Sequence, residues 1–428
     1  MPDFKDLVLP KLAMPDPRLM DGKNDILLPN YNGFGLTNLP STISMWLGGP
    51  RLESPALDPV ILSYFKPRYK RVILLLVDAL GYNYLARLMA AGKANFWRDN
   101  LPKGLLFPIT SVSPSTTASA LTTIWTGAAP SSHGIIGYEM WVPELSMVIN
   151  TILHTPTTFV GDAGGLTRAG FVPNAFMGLE TFGRRLLTKG IRSHAFLPSS
   201  IGNSGLSQMH LDGSQLHTYT AESDLWANMR DILNERPDVP RFVYGYWSHV
   251  DSLMHRYGTN DERVEEQFAL FTHGLQKILL EGMADWARED TLLLLTADHG
   301  SIPTPADENY NLRAHPGLTR LLVMQPTCEN RLPFLYIKPG AENAVRDYFA
   351  NTWPGKFTLI TRDEALALHL FGTRDPHPDL LNRIGDLVVI NHDDAYLWWA
   401  HKTNMLMGRH GGFHPDEMLV PLYSVSLG

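Results

Sequence analysis

The chain has one cysteine, Cys328, among 428 residues. No disulfide can form within it, and a thiolate cluster around zinc is excluded. Apolar runs are short as well: the longest, VILLLV, stops at Asp78, far from the ~20 residues that cross a bilayer. Positive charge is not in surplus. A net charge of −7 argues against a nucleic-acid scaffold, whose surface would be basic. Neither a stable nucleic-acid complex nor a membrane partner is expected. The opening MPDFKDLVLPKLAMPD has no basic leader followed by a sustained apolar stretch, so no signal peptide is expected. With a lone cysteine, the expected location is cytoplasmic. What is present is ordinary globular composition, 44% hydrophobic and 18% charged, enough to bury a large core. A small anionic substrate is compatible with the net charge, because a bound metal outweighs the mean locally.

Residues 1–60, rich in Pro, Gly and Asn, read as an irregular wrap around a core. RVILLLVDALGYNYLARLMAAG then reads as a buried strand followed by a helix. GLLFPIT is a strand. STTASALTTIWTG is a helix entered through hydroxyl residues and closed by Gly127. SDLWANMRDILNE and DERVEEQFALFTHGLQKILLEGM read as helices, alternating with the strands RFVYGYW and TLLLLT. This alternation predicts an α/β fold with a mostly parallel central sheet and helices on both faces. The expected organisation is a catalytic core over 61–303, an inserted α/β cap over 304–385, and the C-terminal part of the core over 386–428. DLVVIN and AYLWWA are expected to return to that core as strands.

Ligands of an open α/β sheet bind beyond the carboxyl ends of its strands. VILLLV ends at Asp78, and TLLLLT at Asp298 and His299. RFVYGYW runs into SHVDSLMH, which carries Asp251 and His255, and GRHGGFHPDE adds His410 and His414. Each has a plainer explanation taken alone: Asp78 as a helix cap, Asp251 and His255 as a surface pair at i, i+4. Their repetition along one sheet edge points elsewhere. A dry strand end rejects an unpaired carboxylate, and a cation removes most of that penalty. Together these carboxylates and imidazoles make two oxygen/nitrogen sites suited to zinc. Two divalent ions about 4 Å apart clamp the attacking and leaving oxygens of a phosphoryl displacement. SPSTTASALTTIWTG offers hydroxyls at a helix N-terminus, where free N–H groups and the dipole favour a phosphate. Ser115, Thr116 and Thr117 could instead merely cap that helix. As a nucleophile, a hydroxyl there needs its pKa lowered, which metal coordination does.

These segments together resemble the alkaline phosphatase superfamily, in its type I phosphodiesterase/nucleotide pyrophosphatase branch. TTASALTTIWTGAAPSSHGIIG resembles the family's nucleophile helix, HVDSLMHRYG its Asp-x-x-x-His segment, TADHG its Asp-His-Gly and GRHGG its closing Gly-x-His-Gly. The resemblance implies an alkaline phosphatase-like fold and hydrolysis of phosphate esters by two divalent ions, expected to be Zn2+. It places the threonine nucleophile on Thr117, with Thr116 the nearby alternative. One ion falls to Asp251, His255 and His410. The other falls to Asp78, Asp298 and His299, with Thr117 Oγ as its substrate-side ligand. His414 competes with His410, but His410 directly precedes the glycine pair. His133 matches the family pattern without being a ligand, and His249 reads as a packed or capping residue. Two positions depart from the pattern. Ala118 stands where nucleotide pyrophosphatases carry an aromatic residue that stacks a base, and Tyr138 where they carry an Asn that donates to the phosphate. Tyr138 and Trp141 are therefore candidates for a substrate pocket of different character. A phosphomonoesterase of the same superfamily is the alternative activity; Arg409 is the one cation at hand for a further phosphate oxygen. A non-catalytic, metal-stabilised binding module is the alternative outside catalysis. Substrate identity and oligomeric state are not encoded in these motifs.

Overall fold

The structure is a computed structural model describing residues 1–12, 17–20, 25–100, 104–158, 164–236 and 239–428. Its central sheet has seven strands: β1 Arg71–Val77, β2 Leu105–Thr110, β3 Arg192–Pro198, β4 Gln215–Tyr219, β5 Arg241–Trp247, β6 Thr291–Thr296 and β7 Leu419–Ser426. Their order is β2-β7-β6-β1-β5-β3-β4. All run parallel except β7, which is antiparallel to both β2 and β6. Every residue of β1, β5 and β6 is buried, as a sheet covered on both faces requires. The register matters most for the site. Arg71 lies opposite both Arg241 and Thr291, Val77 opposite Trp247, and Leu76 opposite Thr296. The three strands therefore end together, and whatever follows them emerges at one edge.

A second, antiparallel sheet lies outside this core. Its strands come from residues 139–156 and 327–391, joined at one bridge between Cys328 and Glu139. Leu387–Asn391, within DLVVIN, is a strand of this smaller sheet, paired with Phe357–Thr361 and Leu332–Leu335. The segment AYLWWA forms no strand; only Trp398 makes an isolated bridge, to Asn311. Its aromatic side chains are packed instead in a local cluster with Tyr310, Trp353 and Phe357. The lead-in meets the edge of β2 through bridges Asp3↔Leu106 and Gly35↔Thr110 and contains a helix, Leu39–Leu47. Residues 13–16 and 21–24 of that lead-in lie outside the described residues. Among the described residues, no helix is long and apolar enough to cross a membrane.

Candidate active site

Beyond the shared edge of β1, β5 and β6 the chain places Asp78, the helix His249–Tyr257, and Asp298-His299. Asp251 and His255 lie one helical turn apart on that helix. The hydroxyl-rich loop leads into a helix, Thr117–Thr126, closed by Gly127 in the left-handed region. His410 arrives from the C-terminal loop, which is held to the hydroxyl loop by a bridge between Ser115 and Gly411 and by Ser115 Oγ donating to the Gly412 carbonyl at 2.7 Å. Two glycines make these approaches possible. A Cβ on Gly300 would collide with the Asp416 carbonyl oxygen, and Gly411, at φ +116°, packs where a Cβ would lie 2.6 Å from Glu329 Cβ.

The six residues expected as ligands, Asp78, Asp251, His255, Asp298, His299 and His410, converge here. Ligand atoms of Asp78, Asp298 and His299 lie within 4.8 Å of one another, as do those of Asp251, His299 and His410. His255 Nε2 is 3.2 Å from Asp251 Oδ1, and His410 Nε2 is 3.7 Å from the same oxygen. His299 Nε2 is 3.5 Å from Asp78 Oδ1 and 3.4 Å from Asp298 Oδ2. Thr117 Oγ1 sits 3.2 Å from His299 Nε2.

The hydrogen bonds around this cluster fix which atoms face inward. Nδ1 of His255, His299 and His410 each faces a backbone carbonyl, of Gly408, Gly300 and Ser115, at 2.8, 2.9 and 3.2 Å. A carbonyl only accepts, so Nδ1 carries the proton, and in the neutral ring Nε2 turns a lone pair towards the carboxylates. Asp78 Oδ2 accepts from the Tyr246 hydroxyl, and Asp298 Oδ1 from the N–H groups of Ala79 and His299 at 3.2 and 3.0 Å. One buried oxygen of each carboxylate has no donor: Asp78 Oδ1, Asp251 Oδ1 and Asp298 Oδ2. Burial and the charges of Asp298 and Asp251 push the Asp78 carboxyl well above its ordinary range. Burial, with His299 and His410's other neighbour His255, pushes His410 well below its own. Buried carboxylate oxygens and imidazole lone pairs converging on one point, where burial resists the carboxylate charge, make an arrangement that divalent cations reconcile. The residues fit such ions.

The remaining candidates separate cleanly. His414 Nδ1 accepts from the Asp416 N–H at 3.1 Å and caps a short turn instead of joining the cluster. His133 is buried behind the helix, with Nε2 3.1 Å from Thr123 Oγ1. His249 stands 3.6 Å from Glu222 and packs on Trp247. The Nη groups of Arg409 are engaged by Thr304, the Leu406 carbonyl and Asn404, and its guanidinium lies 3.8 Å from the Tyr396 ring centroid. An open cleft of about 300 Å³ leads to the cluster, lined by Thr116, Thr117, Tyr138, Asp251, His255 and His410 among others. Trp398 and Trp399 also line it; Trp141, two residues beyond Glu139 along its strand, does not.

Sequence reading missed three contributors. Tyr246 orients Asp78; a tyrosine in a fully buried strand needs a partner for its hydroxyl, and that was the available signal. Glu329 lines the cleft, accepts from the Tyr138 N–H at 3.0 Å and is pushed up to about 8 by burial. Glu417, fully buried against Arg331, receives the Gly412 N–H at 2.9 Å. Neither glutamate stands in a local pattern that reveals its place.

A doubly covered α/β sheet with this constellation at its carboxyl edge defines a phosphoester hydrolase of the alkaline phosphatase superfamily. The chain matches the family Type I phosphodiesterase / nucleotide pyrophosphatase over residues 72–413 and belongs to it. Solved structures agree on the fold. Murine ectonucleotide pyrophosphatase/phosphodiesterase 5 superposes with a TM-score of 0.59 at 16% identity, covering 82% of this chain and 87% of that one. Phosphonoacetate hydrolase from Sinorhizobium meliloti does so with a TM-score of 0.58 at 16% identity, covering 84% and 90%. No curated protein matches the sequence.

Proposed function

We propose that the protein is a phosphodiesterase with Thr117 as nucleophile and two divalent ions as cofactors, most simply Zn2+. Asp251, His255 and His410 would hold one ion. Asp78, Asp298 and His299 would hold the other, with Thr117 Oγ as a further ligand. The observation that carries the reading is the set of unpartnered carboxylate oxygens facing imidazole lone pairs beside the Thr117 hydroxyl. When bound, such ions lower the pKa of a coordinated hydroxyl or water and offset charge developing on the phosphoryl oxygens.

The chain's own residues supply position and orientation. Thr117 opens its helix, so the first backbone N–H groups point at the phosphoryl group and the dipole favours its charge. Thr117 Oγ attacks phosphorus, forming an Oγ–P bond as the opposite P–O bond breaks. The departing alcohol takes up the proton that Thr117 loses. Water then cleaves the phosphothreonine and restores the hydroxyl. Tyr138 lines the cleft and would donate to a phosphoryl oxygen in the role the family gives an Asn. Thr116 is the weaker candidate nucleophile because its side chain turns to Glu329.

Diesters are favoured over monoesters because the Arg409 Nη groups are committed elsewhere; above pH 8, where Glu329 on the cleft wall is ionised, its charge adds to that preference. The murine neighbour has been solved as an inactive form with AMP, and the bacterial one with phosphonoformate. Small phosphate or phosphonate esters are accordingly the substrate class. The test is hydrolysis of a bis-aryl diester against an aryl monoester, with Thr117→Ala in parallel. A preference for the diester of at least ~10-fold, about 1.4 kcal/mol of barrier, is expected. Reversed preference, or unchanged rates in the alanine variant, contradicts the reading.

A further inference from the structure

Thr117 lines two cavities, not one. Besides the open cleft, it borders a narrower slot of about 130 Å³ that touches none of the six carboxylate and imidazole residues of the cluster. The sequence builds this slot from three directions. Thr117, Leu121 and Trp125 fall at i, i+4 and i+8 on their helix and make one wall. Tyr244 and Tyr246, two apart on β5, face it from the sheet. Leu197, near the end of β3, and Ile201, Leu206 and Leu211, from the segment after it, close it.

The polar groups along the slot are largely committed. The Tyr246 hydroxyl donates to Asp78, Ser204 Oγ donates to Ser207 Oγ at 3.1 Å, and Ser207 Oγ to the Ile201 carbonyl at 2.8 Å. His210 Nε2 lies 2.9 Å from Thr122 Oγ1. The Tyr244 hydroxyl, fully buried, finds no acceptor. An apolar cavity of ~150 Å³ stays dry and takes up a benzene ring, and this one is of that size and character. It has no room for a base together with its ribose.

We propose that this slot is a specificity subsite for one ester arm of the substrate, and that the arm is a single aryl-sized apolar group. The inference rests on the diesterase reading given above. Attack by Thr117 Oγ breaks the P–O bond opposite to it. The departing alcohol leaves through the open cleft, which Thr117 shares with Asp251, His255 and His410. The other arm stays on phosphorus in the phosphothreonine. The slot borders Thr117 but not those three residues, so it is the place for the retained arm. Ala118, where relatives carry an aromatic residue, is fully buried and lines neither cavity, which fits a substrate without a base to stack.

The experiment holds the leaving group at 4-nitrophenol and varies the retained arm between methyl, phenyl and thymidin-5′-yl, using protein purified with its metals. The phenyl diester is expected to exceed both others in kcat/KM by at least ~10-fold. Ile201→Trp and Leu211→Trp, at partly exposed positions of the slot, each fill it and should bring the phenyl-to-methyl ratio to within about two-fold. A binding readout runs alongside: Thr117→Ala should bind phenylphosphonate about ten-fold more tightly than methylphosphonate, by calorimetry. Equal rates for phenyl and methyl arms, preference for the thymidine arm, or retention of phenyl preference in both tryptophan variants overturns the subsite. If no diester is hydrolysed, the diesterase reading falls, while the phosphonate pair still decides whether the slot binds a ring.

Discussion

The imidazoles of His299 and His410 stack with centroids 3.6 Å apart and planes 17° apart, yet they come from loops more than a hundred residues apart in the chain. In the proposed reading each ring is a ligand, His410 to one ion and His299 to the other. His410→Ala should therefore weaken one of two divalent-ion sites by more than the ~10–100-fold typical of losing an outer partner. His414→Ala, which removes only a turn cap, should leave both sites alone. Competition titration with a chelating dye distinguishes the two variants.

Arg331 and Glu417 are fully buried and paired at 2.8 Å. Glu417 also receives the Gly412 N–H on its side chain and the Gly300 N–H, at 2.8 Å, on its carbonyl. One residue thus anchors both loops that deliver His299 and His410. Arg331→Met leaves the carboxylate buried without its partner, and a loss of about 3–5 kcal/mol is expected by denaturant unfolding. Arg331→Met combined with Glu417→Gln should recover part of it, since the uncompensated charge is gone.

The fold was legible because β1, β5 and β6 are continuous apolar runs, a pattern only a sheet covered on both faces explains. The convergence of the candidate ligands was legible because each follows such a run or sits in a Gly-rich motif. What escaped the sequence depends on long-range placement. Leu387–Asn391 has the composition of a core strand, but its pairing with Phe357–Thr361 assigns it to the smaller sheet. Glu329 reaches the cleft only because Cys328 bridges to Glu139, across a separation no local periodicity encodes. The slot beside Thr117 combines one helix face, one strand face and one loop, which no single motif contains.

Behind the helix Thr117–Thr126, burial and the neighbouring His154 hold His210 down at about 3, and burial holds His154 at about 4. Their ordinary pKa in the unfolded chain is about 6.5. Between that value and about 4, the unfolded chain takes up protons that the folded one does not. Stability should therefore fall as pH falls through this window, by up to about 1.4 kcal/mol per pH unit for each group. Above pH 6.5 they contribute no slope. Unfolding curves from pH 7.5 to 4.5 check this, and His210→Asn should flatten the lower part.

Above pH 8, where a carboxyl held at about that value is ionised, Glu329 places a negative charge on the cleft wall, against which a dianionic monoester is repelled more than a monoanionic diester; the comparison is therefore made at pH 9. Glu329→Gln keeps an oxygen that can accept from the Tyr138 N–H. The monoester-to-diester ratio of kcat/KM should rise at least ~5-fold, about 1 kcal/mol. A ratio unchanged in this variant assigns selectivity elsewhere.

The central claim is that Asp78, Asp298 and His299, with Asp251, His255 and His410, bind a pair of divalent ions beside Thr117. Elemental analysis of the purified protein tests it most directly, comparing the parent chain with Asp298→Asn and Asp251→Asn. About two equivalents per chain are expected in the parent, and about one in each variant, as site affinity drops with the lost carboxylate. A parent chain that hydrolyses diesters with no divalent ion bound, or variants that keep both, would contradict the account.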